Sequence, residues 1–366
     1  MPLSATKRLL SGMVLWSLAI VPSQAKGTDR NSELAAKLDA QVPGVLRATK
    51  VPSLSLVVLR KGKPVLTRAW GDQSPGVRAT TRTLYNTASL AKPIAATVFL
   101  TMISKGVLGL DDRMSDFWLD PDIASDPRAK LLTPRLSMSH QSGFPNWRDG
   151  KLAFNFDPGT NYGYSGEGIE YLVAYAQKKS GLRLDALAQQ YLLKPLGMRS
   201  TAHTEQNWFA GRVAQPFSKG KYSAPSYQKE PLGSDDVYTT PSDYALLLKA
   251  AMSGRGLTKT LLAEQRRIQT GDKGTQCPPA IKASCPARSG FGLGWQLFEF
   301  GPRKTVLMHT GNDEGEFTFA YAIPSTGEAA VIMTNASNGP QAIIPLIDTL
   351  GMDKEFAAYL KGLASQ

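Results

Sequence analysis

Between Ile94 and Ile103 the chain carries no charged residue: IAATVFLTMI. Such a run is stable as a helix buried on most of its sides. Lys92 and Pro93 stand at its head. Proline has no N–H and is tolerated only near a helix start, so the helix must begin close to Ser89. Ser89 and Lys92 then lie three residues apart on one face, beside the unpaired N–H groups of the first turn. Two readings are open for this pair. It is either a nucleophile with its base, or a serine cap followed by a lysine that snorkels to water.

The rest of the chain frames that helix. Residues 31–48 read as an amphipathic helix, and SLSLVVLRKGKPVLTRAWG (53–71) as a β-hairpin turning at RKGKP. From about 89 to 270 helices and loops alternate, punctuated by Pro and Gly. In TTPSDYALLLKAAMSG, Thr240 is the expected N-cap, Pro241 the first helical residue and Asp243 an acid of the first turn. Strands return in GLGWQLFEFG, KTVLMHTG, EFTFAYAIP and AAVIMTNAS, and an amphipathic helix fills 353–364. Strands at both ends with helices between them predict an α/β fold, its antiparallel sheet built from both chain ends and flanked by helices. A sheet lobe (about 30–85 and 290–366) and a central helical insertion lobe (about 89–289) would share a cleft, where sites usually form.

Residues 1–25 carry Lys7 and Arg8, then an apolar stretch from Leu9 to Val21, then small residues at Ser23 and Ala25. This reads as a secretory signal cleaved after Ala25, too short for a stable membrane anchor. The remainder, 26–366, is expected to be exported to the periplasm or secreted. The formal net charge is +12, which suits anionic surroundings such as cell-wall polymers or simply a soluble basic surface. The basic residues form no long run, and nucleic acid is not an expected partner. Cys277 and Cys285 in QCPPAIKASCP are expected to close a small loop as a disulfide in an oxidising compartment. The histidines, His140, His203 and His309, are far apart and form no metal-binding motif. Neither a metal nor another cofactor is expected.

Spacing alone does not single out Ser89, because Ser-x-x-Lys also starts at Ser4, Ser23, Ser218 and Ser226. Of these serines only Ser89 opens a buried helix. There the positive end of the helix dipole and partial burial both disfavour a charged Lys92, making it a plausible proton acceptor. The alternative serine-hydrolase design lacks its signature, since no Gly-x-Ser-x-Gly elbow occurs. His140 and His203 lie in turn-like contexts that suit structural hydrogen bonds.

SLAK (89–92), YSG (164–166) and HTG (309–311) occur in an order and spacing that resemble the serine β-lactamase and penicillin-binding-protein-like hydrolases, closest to their class C β-lactamase and D,D-carboxypeptidase branch. The linking stretches GVLGLDDRMSDF, LSMSHQSGFPNW, FDPGTNYGYSG, LLKPLGM and GFGLGW are similar too, so the likeness runs from about 35 to 340. The resemblance implies the β-lactamase/transpeptidase-like fold and an acyl-enzyme formed at Ser89. It implies that Lys92 and Tyr164 share the proton transfers, with the resting base undecided between them. His309 stands where the family usually carries lysine, followed by Thr310 and Gly311 along a substrate-lined strand. The N–H groups of Ser89 and Asn312 would form the oxyanion hole. One departure stands out. The usual third residue of the tyrosine motif is asparagine, and here it is Gly166, which has no amide to offer a substrate. The resemblance therefore favours a D,D-peptidase-like or esterase-like hydrolase over a dedicated β-lactamase. A non-catalytic binder of wall peptides is the reading from another class. Peptidoglycan or a small ester is the implied partner, and a monomer the expected state. Asp313 and Glu314, just after HTG, suit either a cationic substrate group or a solvated strand end.

Overall fold

The computed structural model describes Met1 and residues 25–271 and 277–366. The expected signal segment thus lies almost wholly outside the described residues. The N-terminal part supplies β1 (Ser53–Arg60), β2 (Lys63–Ser74) and β3 (Val77–Arg78). The C-terminal part supplies β4 (Arg288–Phe291), β5 (Gln296–Glu299), β6 (Thr305–Asp313), β7 (Glu316–Ile323) and β8 (Glu328–Thr334). All pair antiparallel in one sheet ordered β3-β2-β1-β8-β7-β6-β5-β4. The two ends of the chain meet in its middle, where Leu54–Leu59 of β1 face Ala329–Thr334 of β8.

Antiparallel sheets often leave one face wet, but these central strands are apolar at almost every position, and both faces are covered. Val57, Leu59, Leu307, Ala320, Val331 and Met333 point to one core. Leu56, Val58, Val306, Phe319, Tyr321 and Ile332 point to the other. On the second face lie α1 (Ala25–Thr49), through Leu38, Val42 and Leu46, and the last helix, α5 (Lys354–Ala364), through Phe356 and Tyr359. The first face carries α2 (Ala91–Ser104), α3 (Gly166–Ser180) and α4 (Pro241–Ser253). α2 is buried from Ala91 to Met102, as its uncharged sequence requires. α4 starts as its residues dictate, with Thr240 Oγ1 accepting the N–H of Asp243 at 3.2 Å and Pro241 in the first turn.

One expected strand is broken. In GLGWQLFEFG only Gln296–Glu299 is a strand, and residues 292–295 form the turn that brings the chain from β4 into β5. Gly294 explains the break. It adopts φ +82° and donates its N–H to Met138 O at 2.9 Å, and a Cβ there would collide with Ala96 of α2. Cys277 and Cys285 are joined as a disulfide, their Cα atoms 6.0 Å apart. Among the described residues no helix is long and apolar enough to cross a membrane.

At the end of β8, buried Asn335 ties separate segments together. Its Oδ1 accepts from Ser53 N at 2.9 Å and Ser53 Oγ at 2.7 Å, while Nδ2 donates to Gln215 O at 3.0 Å and Gln73 O at 3.3 Å. Asn335→Ala would leave these buried groups unpaired, and each costs about 1–3 kcal/mol. Chemical denaturation should show a loss of about 2–4 kcal/mol. A loss below about 1 kcal/mol would mean that water or relaxation replaces the amide.

Candidate active site

The site is built around a sharp turn before α2. Ala88, directly preceding Ser89, adopts φ +45°, a left-handed conformation that is costly for a residue with a Cβ. The turn is held on every side. Thr87 N–H donates to Val237 O at 2.8 Å, Thr318 Oγ1 donates to Thr87 O at 2.7 Å, and Ala88 N–H donates to Asn86 Oδ1 at 2.9 Å. Gly311 makes this docking possible. A Cβ at Gly311 would run into Thr87 O and Thr318 Oγ1, so only glycine lets β6 lie against the turn.

Lys92 is 1% exposed. Its Nζ donates to Ser89 Oγ at 2.9 Å and to Ser234 O at 2.8 Å. Burial lowers its pKa to about 8, opposed by the negative charges of Asp235 and Glu170. Glu170, half-buried on α3, holds the Ser234 segment in turn, accepting from Ser234 N at 2.8 Å, from Ser234 Oγ, and from Gly233 N at 3.1 Å. Its own pKa is raised by burial and lowered in part by those bonds. Asp235 is raised to about 6, again chiefly by burial, with Lys92 pulling it down.

Tyr164 lies beside the pair, its ring centroid 4.9 Å from Lys92 Nζ. Burial raises the phenol well above its ordinary value, and the Ser89 hydroxyl lowers it only in part. It is therefore a neutral phenol at physiological pH. His140 stacks on it with ring centroids 4.4 Å apart, and its Nδ1 accepts the N–H of Ser165 at 3.1 Å. That bond leaves the proton of the neutral ring on Nε2. Here His140 is a structural support for the tyrosine, and its φ of +58° belongs to the turn that delivers it.

His309 is buried on β6 with Nδ1 2.7 Å from Thr310 O, which makes Nδ1 the donor. Burial first, and Lys92 second, depress its pKa to about 3. It is uncharged, so it cannot act as the cation that lysine supplies in KTG. β5 pairs with β6 only from Thr305 to Met308, leaving His309–Asp313 with one open edge. Counting back from the two-residue turn Glu314–Gly315, ladder alternation bonds Asp313 and Gly311 to β7. Thr310 and Asn312 thus turn their N–H and C=O to the open edge.

Gly166 begins α3, where its N–H donates to Asn146 O and Oδ1, each at 3.0 Å. Its φ is not positive, so conformational freedom does not account for the glycine. Space does. A Cβ would sit 2.8 Å from Asn146 O and 3.2 Å from the Trp147 ring.

Ser89, Lys92, Tyr164 and His309 thus come together beside Gly311 and the open edge of β6. Sequence reasoning missed Glu170, Ser234 and Asp235. The one visible trace was Glu170, an acid inside the apolar stretch IEYLVAYA, and nothing local marked the other two.

The sequence profile described as Beta-lactamase matches residues 34–345. The chain belongs to the β-lactamase family. Esterase EstB of Burkholderia gladioli is 27% identical over 302 residues, covering 66% of this chain and 76% of that protein. AmpH of Escherichia coli K12, named a D-alanyl-D-alanine-carboxypeptidase/endopeptidase, is 21% identical over 365 residues, covering 90% and 92%. The fold matches that of EstCE1, titled a hydrolase with promiscuous acyltransferase activity, at a TM-score of 0.73 and 18% identity, covering 90% of this chain and all of that one. The protein is an enzyme, a serine hydrolase of the β-lactamase-like superfamily.

Gly166→Asn gives a direct test of the crowding at α3. The new side chain must push the Asn146–Trp147 segment aside, at a cost of about 1–3 kcal/mol. Thermal melting should register that loss, and an unchanged Tm would show that the segment yields freely.

Proposed function

We propose that the protein is an exported esterase-like hydrolase that forms an acyl-enzyme at Ser89. The observation that carries this reading is the Lys92 amine, 2.9 Å from Ser89 Oγ and brought to a pKa of about 8. Roughly a tenth of such a group is neutral at pH 7, against less than a thousandth of an ordinary lysine. The neutral amine takes the Ser89 proton as Oγ attacks the substrate carbonyl carbon. Negative charge on the carbonyl oxygen is met by the N–H groups of Ser89 and Asn312. As the bond to the leaving group breaks, the Lys92 ammonium returns the proton to the departing atom, with the Tyr164 phenol as relay. A water then repeats the sequence on the acyl-enzyme, with Lys92 as base, and releases the acid.

Charge favours an ester over β-lactams or D-alanyl peptides. Those substrates end in a carboxylate, and neutral His309 gives it no cation to bind. Gly166 likewise offers no carboxamide to an acyl-amide group. The D,D-peptidase-like reading remains the second choice, supported by the likeness to AmpH over most of both chains, with peptidoglycan as its partner. Export is supported by the Lys7–Ala25 segment and by the disulfide, which persists in oxidising compartments.

Incubation with a fluorophosphonate ester should label wild-type protein at Ser89 and leave Ser89→Ala unlabelled. Labelling at another serine, or none in a folded protein, would overturn the reading, the latter in favour of a non-catalytic binder. Hydrolysis of p-nitrophenyl esters should exceed that of nitrocefin and D-alanyl peptides, and the reverse order would reject the ester preference.

The proton acceptor makes a second prediction. Since activity needs Lys92 without its proton, kcat/KM should climb as pH rises through about 8 and then level off. A profile flat from about pH 6 to 9 would assign the base elsewhere. Lys92→Ala should lose roughly a hundred- to ten-thousandfold in acylation rate.

A further inference from the structure

The chain is strongly basic overall, yet beside the nucleophile it gathers acids. A cavity of about 560 Å³ has Asp236, Asp313, Glu314 and Glu316 in its lining, together with Asn86 and the cation Lys221. Asp235 joins the cluster, one carboxylate oxygen from each of Asp235, Asp236 and Asp313 lying within 4.8 Å of the others. Among the described residues none of these five acids is in an ion pair.

Glu316 is the decisive member. It is 5% exposed and lines the cavity, and its carboxyl group has no hydrogen-bond or ion-pair partner among the described residues. It stands directly opposite Asp313 in the β6–β7 ladder, and like charges in that position destabilise a sheet. Burial and the neighbouring acids raise its pKa well above the ordinary range. The scaffold nonetheless keeps the acids in position. Asp236, at φ +57°, accepts from Asn86 Nδ2 at 2.8 Å and Gln228 Nε2 at 2.7 Å. The hairpin tip is tied down by Gly315 N–H donating to Ser337 Oγ at 2.6 Å and by Phe217 N–H donating to Gly315 O at 3.0 Å.

Position relates this cavity to the reaction. Asp313 and Glu316 share a sheet face with Gly311 and Thr318, the pair against which Thr87 docks, and lie one repeat further along, about 7 Å. Asn86 touches both, its Oδ1 bonding Ala88 N–H while its amide bonds Asp236. A substrate laid along the open edge of β6 with its carbonyl at Ser89 would extend into the acids.

We propose that this cavity binds the cationic end of the substrate, making the enzyme selective for esters that carry an ammonium group. The proposal rests on the acyl-enzyme reading above and adds the charge of the substrate to it. Burial and the neighbouring acids hold the Glu316 carboxyl protonated in the empty site, and a bound cation favours its ionised form, the proton passing to solvent.

The test compares two p-nitrophenyl esters, in a short series of chain lengths. One acyl chain ends in trimethylammonium and the other in its uncharged isostere, tert-butyl. At low salt wild-type kcat/KM should favour the cationic ester by about tenfold or more at one or more chain lengths. The ratio should fall toward one in Glu316→Gln and in Asp313→Asn. Asp313 is exposed at a hairpin end, so its variant keeps the test alive if the buried substitution fails to fold. A wild-type ratio near one at every length, with neutral esters hydrolysed, would overturn this proposal and leave the acyl-enzyme reading standing. No hydrolysis of either ester, together with no covalent labelling, would remove both. Melting supplies the last arm. A Tm raised by calcium chloride in wild type but not in Asp313→Asn, with no preference for the cationic ester, would overturn the proposal in favour of a metal site.

Discussion

The proposed chemistry depends on one constraint that the structure does show, a lysine amine kept out of water beside a serine hydroxyl. Lys92 loses hydration because α2 is buried along nearly its whole length, and that burial draws its pKa to about 8. An amine with no partner would be expelled or would unfold its surroundings. Here the Ser234 carbonyl accepts one N–H, Ser89 Oγ accepts another, and the Asp235 and Glu170 carboxylates offset part of the desolvation. The balance leaves a group able to carry or release a proton near neutral pH, which neither full exposure nor a close ion pair would do.

The three-layer architecture follows from that requirement. Helices on both faces keep the central strands of the sheet dry, and the inner face gives α2 its wall. Because β1 pairs with β8, the two chain ends lock together under the site. The strained turn at Ala88 is then clamped between Val237 on one side and Thr318 on the other. Strain of this kind persists only where the surroundings over-determine it. Gly311 and Gly294 serve that end by removing Cβ atoms where β6 meets the turn and where the β4–β5 turn meets α2.

Charge is distributed against the average of the chain. A net +12 describes the surface as a whole, whereas the neighbourhood of Ser89 holds a neutral imidazole, a neutral phenol and several carboxylates. On the reading proposed above, the field a substrate meets comes from nearby acids such as Asp235 and Asp313 and not from the average composition. This contrast favours, on the same proposed reading, a substrate without a terminal carboxylate.

Much of this was determined by local sequence. The uncharged run after Pro93 required a buried helix beginning near Ser89, the alternating and continuous apolar segments at both ends required a sheet, and Thr240–Pro241 marked its helix start. Those features depend on neighbours within a few residues. The GLGW segment misled because a strand and a glycine turn share the same apolar composition, and only contact with Ala96 distinguishes them. Other properties exist only after folding. That His309 is uncharged depends on burial by distant segments and on the nearby Lys92. Glu170 and Asp235 act on Lys92 across separations of 78 and 143 residues, and Gly166 is demanded by Asn146 and Trp147 of a preceding loop. Sequence specifies which groups are available and the local shape that carries them. Desolvation and electrostatic coupling depend on distance in space, so the charge state of the site was decided by the tertiary structure.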